Sequence, residues 1–152
     1  MMSSVFDFST GELSVSTGIV LAPGRTTVSD LITAGWTTLD TRNGWETFST
    51  DTMMIWRHSF AVSARFHEGK FVAIDCLWKD GSIRKQDWSA TDEDLIREKK
   101  TLSKLILSEA QTTPVATSQG VDTFAFTWGT ISVRADPRSM MVLLSIAYSV
   151  GI

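Results

Sequence analysis

Between Trp56 and Lys79 apolar and polar residues alternate with a period of two, and this pattern constrains the fold more than any other feature of the chain. Trp56, His58, Phe60, Val62, Ala64 and Phe66 fall on one side of it; Arg57, Ser59, Ala61, Ser63, Arg65 and His67 fall on the other. Successive side chains of an extended chain point to opposite faces, so the run is a half-buried strand with one wet face. A second run from Lys70 to Lys79 sets Val72, Ile74, Cys76 and Trp78 against Phe71, Ala73, Asp75 and Leu77. Two such runs in succession predict an antiparallel hairpin. A three-residue loop of His67-Glu68-Gly69 places Gly69 at the left-handed position. The expected cross-strand pairs are then Ala64/Val72, Val62/Ile74, Phe60/Cys76 and His58/Trp78, all on the apolar side. A two-residue loop would put Asp75 against Val62 and Ser63 against Ile74. Since a slip of one residue moves every side chain across the sheet, the three-residue loop is expected.

Elsewhere the period changes. Residues 91–110 read as one long helix, with Ser89 or Thr91 as cap, Asp92, Glu93 and Asp94 in the first turn, and Arg97, Lys99, Lys100 and Lys104 later. That order of charge suits the helix dipole. Leu95, Leu102, Leu105 and Ile106 form its apolar stripe, widened by Ile96 and Leu107, and the charges make a solvated face. A short N-terminal helix over about 27–34 follows the break at Pro23-Gly24, capped by Thr26 or Thr27 and stopped at Gly35. Residues 5–21 read as two short extended segments around Thr10-Gly11. Phe124, Phe126 and Trp128 alternate in a further strand, followed by Ile131 and Val133. Asp136-Pro137-Arg138-Ser139 is a β-turn that sets Val133 against Val142 and Ile131 against Leu144 as Met140 to Tyr148 returns. The prediction is α+β: a mainly antiparallel sheet, the long helix packed on one face, and the short N-terminal helix. At 152 residues the chain suits a single domain, 1–152.

Several chemistries are disfavoured. A net charge of −3 argues against a nucleic-acid-binding surface over most of the molecule. No run approaches the ~18 apolar residues of a membrane span. The N-terminus lacks a basic start and an apolar core, and a lone Cys76 suits a reducing cytosol, so a soluble cytoplasmic protein is expected. Neither GxGxxG nor GxxxxGK[ST] occurs, and no cofactor is expected. The two histidines, His58 and His67, lie on opposite strand faces and cannot share a metal; no metal or catalytic residues are assigned.

Asp75 is different: on its strand it shares the polar face with Arg57, Ser59, Ser63 and Arg65, opposite Ala61, where an arginine–carboxylate pair across the strands is expected. Such a face is either a solvated sheet surface or a recognition surface. Of the six tryptophans, Trp36, Trp45, Trp56 and Trp78 point to core or sheet-edge packing, whereas Trp88 sits among charges before the helix. An exposed tryptophan there would mark a partner. Arg57, Arg65, Asp75 and Trp88 are therefore the candidate binding residues.

Asp87-Trp88-Ser89 followed by the charged helix, Thr127-Trp128-Gly129-Thr130-Ile131, and Ala135-Asp136-Pro137-Arg138-Ser139 resemble a loosely defined group of small, mostly uncharacterised bacterial cytoplasmic proteins. These share a Trp-Ser helix start and a C-terminal Trp-Gly / Asp-Pro-Arg-Ser hairpin, and the resemblance covers roughly residues 70–148. Some look like immunity proteins, which bind and neutralise a cognate toxin. The resemblance implies a non-enzymatic protein-binding module of the immunity type, with a toxin-like protein partner; the charge pattern and the lack of a long apolar run add the expectation of no nucleic acid and no membrane. The acidic balance suits a basic partner. The alternative is a small-molecule-binding protein or enzyme with a pocket between sheet and helix, where Asp75, Arg65 or His58 would converge. A homo-oligomer joined through Met140–Tyr148 at a sheet edge is a third option.

Overall fold

A computed structural model describes residues 2–15, 18–79, 91–118, 120–138 and 141–149. The strands are β1 (Met2–Ser3), β2 (Val5–Asp7), β3 (Glu12–Ser14), β4 (Val20–Leu21), β5 (Thr37–Arg42), β6 (Trp45–Ser49), β7 (Met53–Ile55), β8 (His58–His67), β9 (Lys70–Trp78), β10 (Ala116–Thr117), β11 (Val121–Phe126), β12 (Gly129–Asp136) and β13 (Met141–Tyr148). The helices are α1 (Val28–Thr33) and α2 (Asp92–Ala110). The expected α+β class holds, with a mostly antiparallel sheet; β1 runs parallel to β7.

Ten strands form the main sheet in the order β10-β11-β12-β13-β9-β8; beyond β8 one end of its edge pairs with β6 and β5, the other with β7 and β1. β2, β3 and β4 make a second, smaller sheet. One face of the main sheet carries Phe60, Val62, Ala64, Phe66, Ile74, Cys76, Phe124, Ile131, Val133, Leu144 and Ile146, all buried. Against it α2 lays Leu95, Leu102 and Ile106, and packs on β12 and β13. Thr91 and Asp94 close a capping box that satisfies two amides at the start of α2, and Thr27 and Asp30 do the same for α1.

The small sheet is pinned to the same face by two side-chain donors, one half-buried and one buried. Trp128 Nε1 donates to the Phe8 carbonyl at 2.7 Å, and the Tyr148 hydroxyl donates to the Gly11 carbonyl at 2.6 Å. Gly11 is required there: its φ is +78°, and a Cβ would stand 2.5 Å from the Trp128 ring.

The β8–β9 register differs from expectation. Glu68 and Gly69, with φ of 51° and 77°, form a two-residue turn closed by His67 and Lys70. The mixing of faces that such a turn implies is cancelled within the next few residues by a bulge. Phe66 faces Phe71, Arg65 faces Ala73, and Val72 is the extra residue between them. Beyond it Ala64 faces Ile74, Val62 faces Cys76 and Phe60 faces Trp78, so His58 is not opposite Trp78 and Asp75 is opposite Ser63 instead of Ala61. The C-terminal hairpin is also shifted: Val133 faces Leu144 and Ile131 faces Ile146, closing at Asp136 and Met141. The connection spans residues 137–140 and is longer than the expected β-turn by two, which leaves every side chain on its expected face. Met141–Tyr148 lies inside the sheet between β9 and β12, so it offers no edge to a second copy.

Candidate functional site: the open face of the sheet

Opposite the face that carries α2 and the small sheet, the registers align a row of small polar residues. Ser63, Asp75, Ser145, Ser132 and Thr123 face one another in turn across β8, β9, β13, β12 and β11. Ala61, Ala73, Ala125, Thr130 and Ala147 flank the row, and β6 adds Thr47 and Ser49 opposite Arg65 and Ser63. No described element covers this face; its residues are half-buried or exposed apart from Ala73 and Ser59. The side chains of the central row are short, and Leu77, Leu143 and Arg134 stand beside it on the same face.

Its charged centre is the pair foreseen from the strand pattern. Arg65 reaches diagonally past Ala73, bringing Nε to 2.6 Å from Asp75 Oδ2, while Nη2 donates to Oδ1 at 3.4 Å. The Nε–H itself is buried and is not aligned with an acceptor, so the short contact is Coulombic. Ser145 Oγ donates to the same Oδ1 at 2.8 Å. With side chains 35% and 21% exposed, the pair is partly shielded from water and held in one orientation. A carboxylate held by a guanidinium and a hydroxyl presents fixed charges.

Arg57 does not join this centre. Trp56 and Arg57, with φ of 51° and 66°, form the turn between β7 and β8, so the strand begins at His58. Arg57 Nη2 lies 3.4 Å from Glu109 Oε1 near the end of α2, on the opposite side of the sheet. Trp88 lies outside the described residues. Trp36 is buried, as expected. Trp45 instead stands 43% exposed on the rim of the open face, with its ring 4.4 Å from that of His67. His58 is half-buried, edge-on to Trp78 at 5.6 Å.

Recesses do exist between α2 and the sheet. One of about 240 Å³ is lined by Asp92, Leu95, Ile96, Gly120, Ala135 and Pro137. Another, of about 200 Å³, lies toward the other end of the helix beside Lys100, Lys104 and Leu107. Arg65 and Asp75 lie on the far face and reach neither, and His58 lines neither, so the convergence expected for a sheet–helix active site does not occur. Among the described residues no three His, Cys, Asp or Glu side chains gather as metal ligands would. Cys76 is fully buried, and burial pushes its thiol far above the ordinary value. No helix among the described residues is long and apolar enough to cross a membrane.

No protein-family model matches the chain, and no curated protein matches it in sequence. Among solved structures, a chain from Rhs1-CT in complex with its cognate immunity protein RhsI1 is similar, with a TM-score of 0.56 at 16% identity, covering 98% of this chain and 88% of that one. The present protein thus shares its fold with a chain of the complex between Rhs1-CT and its cognate immunity protein.

Proposed function

We propose that this protein is a binding module without catalysis of its own, and that it neutralises a cognate toxin as an immunity protein. The observation that carries the reading is the fold it shares, over nearly its whole length, with a chain of the Rhs1-CT–RhsI1 complex. The open sheet face supports it. Six strands at about 4.8 Å spacing and six residues at about 3.4 Å rise give a footprint of roughly 600 Å², near the ~800 Å² that one partner contributes to a standard interface. On that face Arg65 and Asp75 are preorganised, so docking them costs little side-chain ordering. Trp45 on the rim adds an aromatic anchor of the kind that dominates binding energy. Arg57, on the other side of the sheet, remains an interface candidate, as does Trp88, which lies outside the described residues.

Co-expression tests the reading. The product of the adjacent gene is induced in a bacterial host with and without this protein. The reading requires growth arrest by that product alone, growth restored by this chain, and a stoichiometric complex on purification. Arrest that persists while the chain is present and folded sinks it. With a complex in hand, Arg65→Glu should weaken binding by about tenfold or more, as expected for a charge reversed inside an interface.

A further inference from the structure

The second recess beside α2 is basic, against the acidic balance of the whole chain. Lys100, Lys104 and Leu107 lie one above another on the helix, at spacings of four and three residues. Lys100 and Lys104 are exposed, and neither forms an ion pair among the described residues. The nearby acids are already engaged: Asp122 with Lys99, and Glu109 with Arg57. Two like charges one helical turn apart repel when nothing neutralises them. Beside them lies apolar surface. Leu107 is 43% exposed and Val115 68% exposed, and Pro114 and Phe124 line the recess between helix and sheet. The far wall is rigid because Lys99 Nζ donates to the Ser118 carbonyl at 2.6 Å and to Asp122 at 2.9 Å, while Ser103 donates to Asp122 at 2.6 Å. These bonds clip the β10–β11 connection to α2. Past β10 the sheet ends.

We propose that this groove docks an acidic segment of a protein partner, with an apolar side chain seated against Leu107 and Pro114 between carboxylates that pair with Lys100 and Lys104. The inference deepens the reading of the protein as a binding module and rests on it. It adds a second contact region, distinct from the open face, and specifies the charge of what binds there. Apolar surface framed by unpaired lysines favours a partner of opposite sign, because a basic segment would add to a repulsion already present.

The test uses the full chain, ¹⁵N-labelled, titrated with an acetylated Glu-Asp-Leu-Leu-Glu-Asp peptide and separately with Lys-Arg-Leu-Leu-Lys-Arg. The acidic peptide should give saturable amide shifts confined to Lys100, Ser103, Lys104, Leu107, Val115 and Phe124. Affinity should fall about tenfold or more in Lys100→Glu/Lys104→Glu, and also at high salt. The basic peptide should leave the wild type unperturbed. Leu107→Ser, which leaves the charges in place, should weaken binding independently. Absent or scattered shifts, equal affinity in the lysine variant, or equal binding of the basic peptide each overturns the proposal. The protection assay separates the two readings. Growth rescue without peptide binding, retained by the lysine variant, removes the groove and keeps the immunity reading. Peptide binding at the groove without rescue does the reverse.

Discussion

The Lys99–Asp122–Ser103 cluster should respond to mutation asymmetrically. The Lys99 and Asp122 side chains are only 5% and 11% exposed, and they meet at 2.9 Å between α2 and β11. Among the described residues, Lys99→Met leaves a buried carboxylate with only the Ser103 hydroxyl as partner, and Asp122→Leu leaves a buried ammonium with only the Ser118 carbonyl. Each single change strands a charge, and breaking a buried pair in this way costs about 3–5 kcal/mol. For a chain of this size about 1 kcal/mol moves Tm by roughly 2–4 °C, so each should melt roughly 6–20 °C below the wild type. Lys99→Met/Ser103→Ala/Asp122→Leu removes the three polar side chains together, leaving only the carbonyl of the exposed Ser118 to be met by water, and should recover most of that loss, because an apolar replacement of similar volume is often neutral or stabilising. Urea denaturation with calorimetry measures all of these. A triple variant no more stable than either single would refute the argument, as would a Lys99→Met cost below about 1 kcal/mol.

Three further outcomes follow from the same structure. Cys76, with its thiol buried and its ionisation suppressed by burial, should not react with a thiol reagent in the native protein at mild alkaline pH, and should react fully in denaturant. Asp94 accepts the Thr91 amide and pairs with Arg97, and both contacts hold its carboxyl below the ordinary aspartate value. Its help to the helix is complete above that ordinary value and is lost as pH falls through the lowered one, so a carbon-detected titration should place its midpoint below that of a model aspartate. Gly11→Ala should destabilise by about 2–4 kcal/mol, since a left-handed φ and the Trp128 ring both oppose a Cβ; an unchanged unfolding midpoint would contradict the contact.

What could be read from the sequence was periodicity. The alternation in β8 and β9 assigned both strands and gathered Arg65 and Asp75 on one face, because burial on a sheet repeats every two residues. The stripe of Leu95, Leu102 and Ile106 placed α2, and Thr91 capped it as proposed. What escaped was whatever breaks a period. The Val72 bulge is invisible in a pattern that assumes one residue per step, so the loop chosen to rescue the register was the wrong one. Trp56 and Arg57 carry positive φ without being glycine, which hid the turn that sends Arg57 away from Arg65. The β5–β6 hairpin had no counterpart in the expectations, although Asn43-Gly44 is among the strongest short hairpin signals. β5 is exposed throughout and β6 buries Phe48 alone, so no apolar alternation announced them. The basic groove depends on how residues 100–107 meet 114–124, a contact between distant segments that no local pattern encodes.

The Val72 bulge also bears on how such a chain can change over generations. With strict pairing, losing or gaining one residue in the hairpin would turn the whole of β9 inside out, exchanging Ile74 and Cys76 for Ala73 and Asp75. Here the turn and the body of the sheet are separated by a point that already absorbs one residue of slack. A deletion of Val72 is therefore tolerated with the turn unchanged, because His67/Lys70, Phe66/Phe71, Arg65/Ala73 and Ala64/Ile74 then form one unbroken ladder. Related chains should differ by one residue at this point and still keep the same residues facing outward.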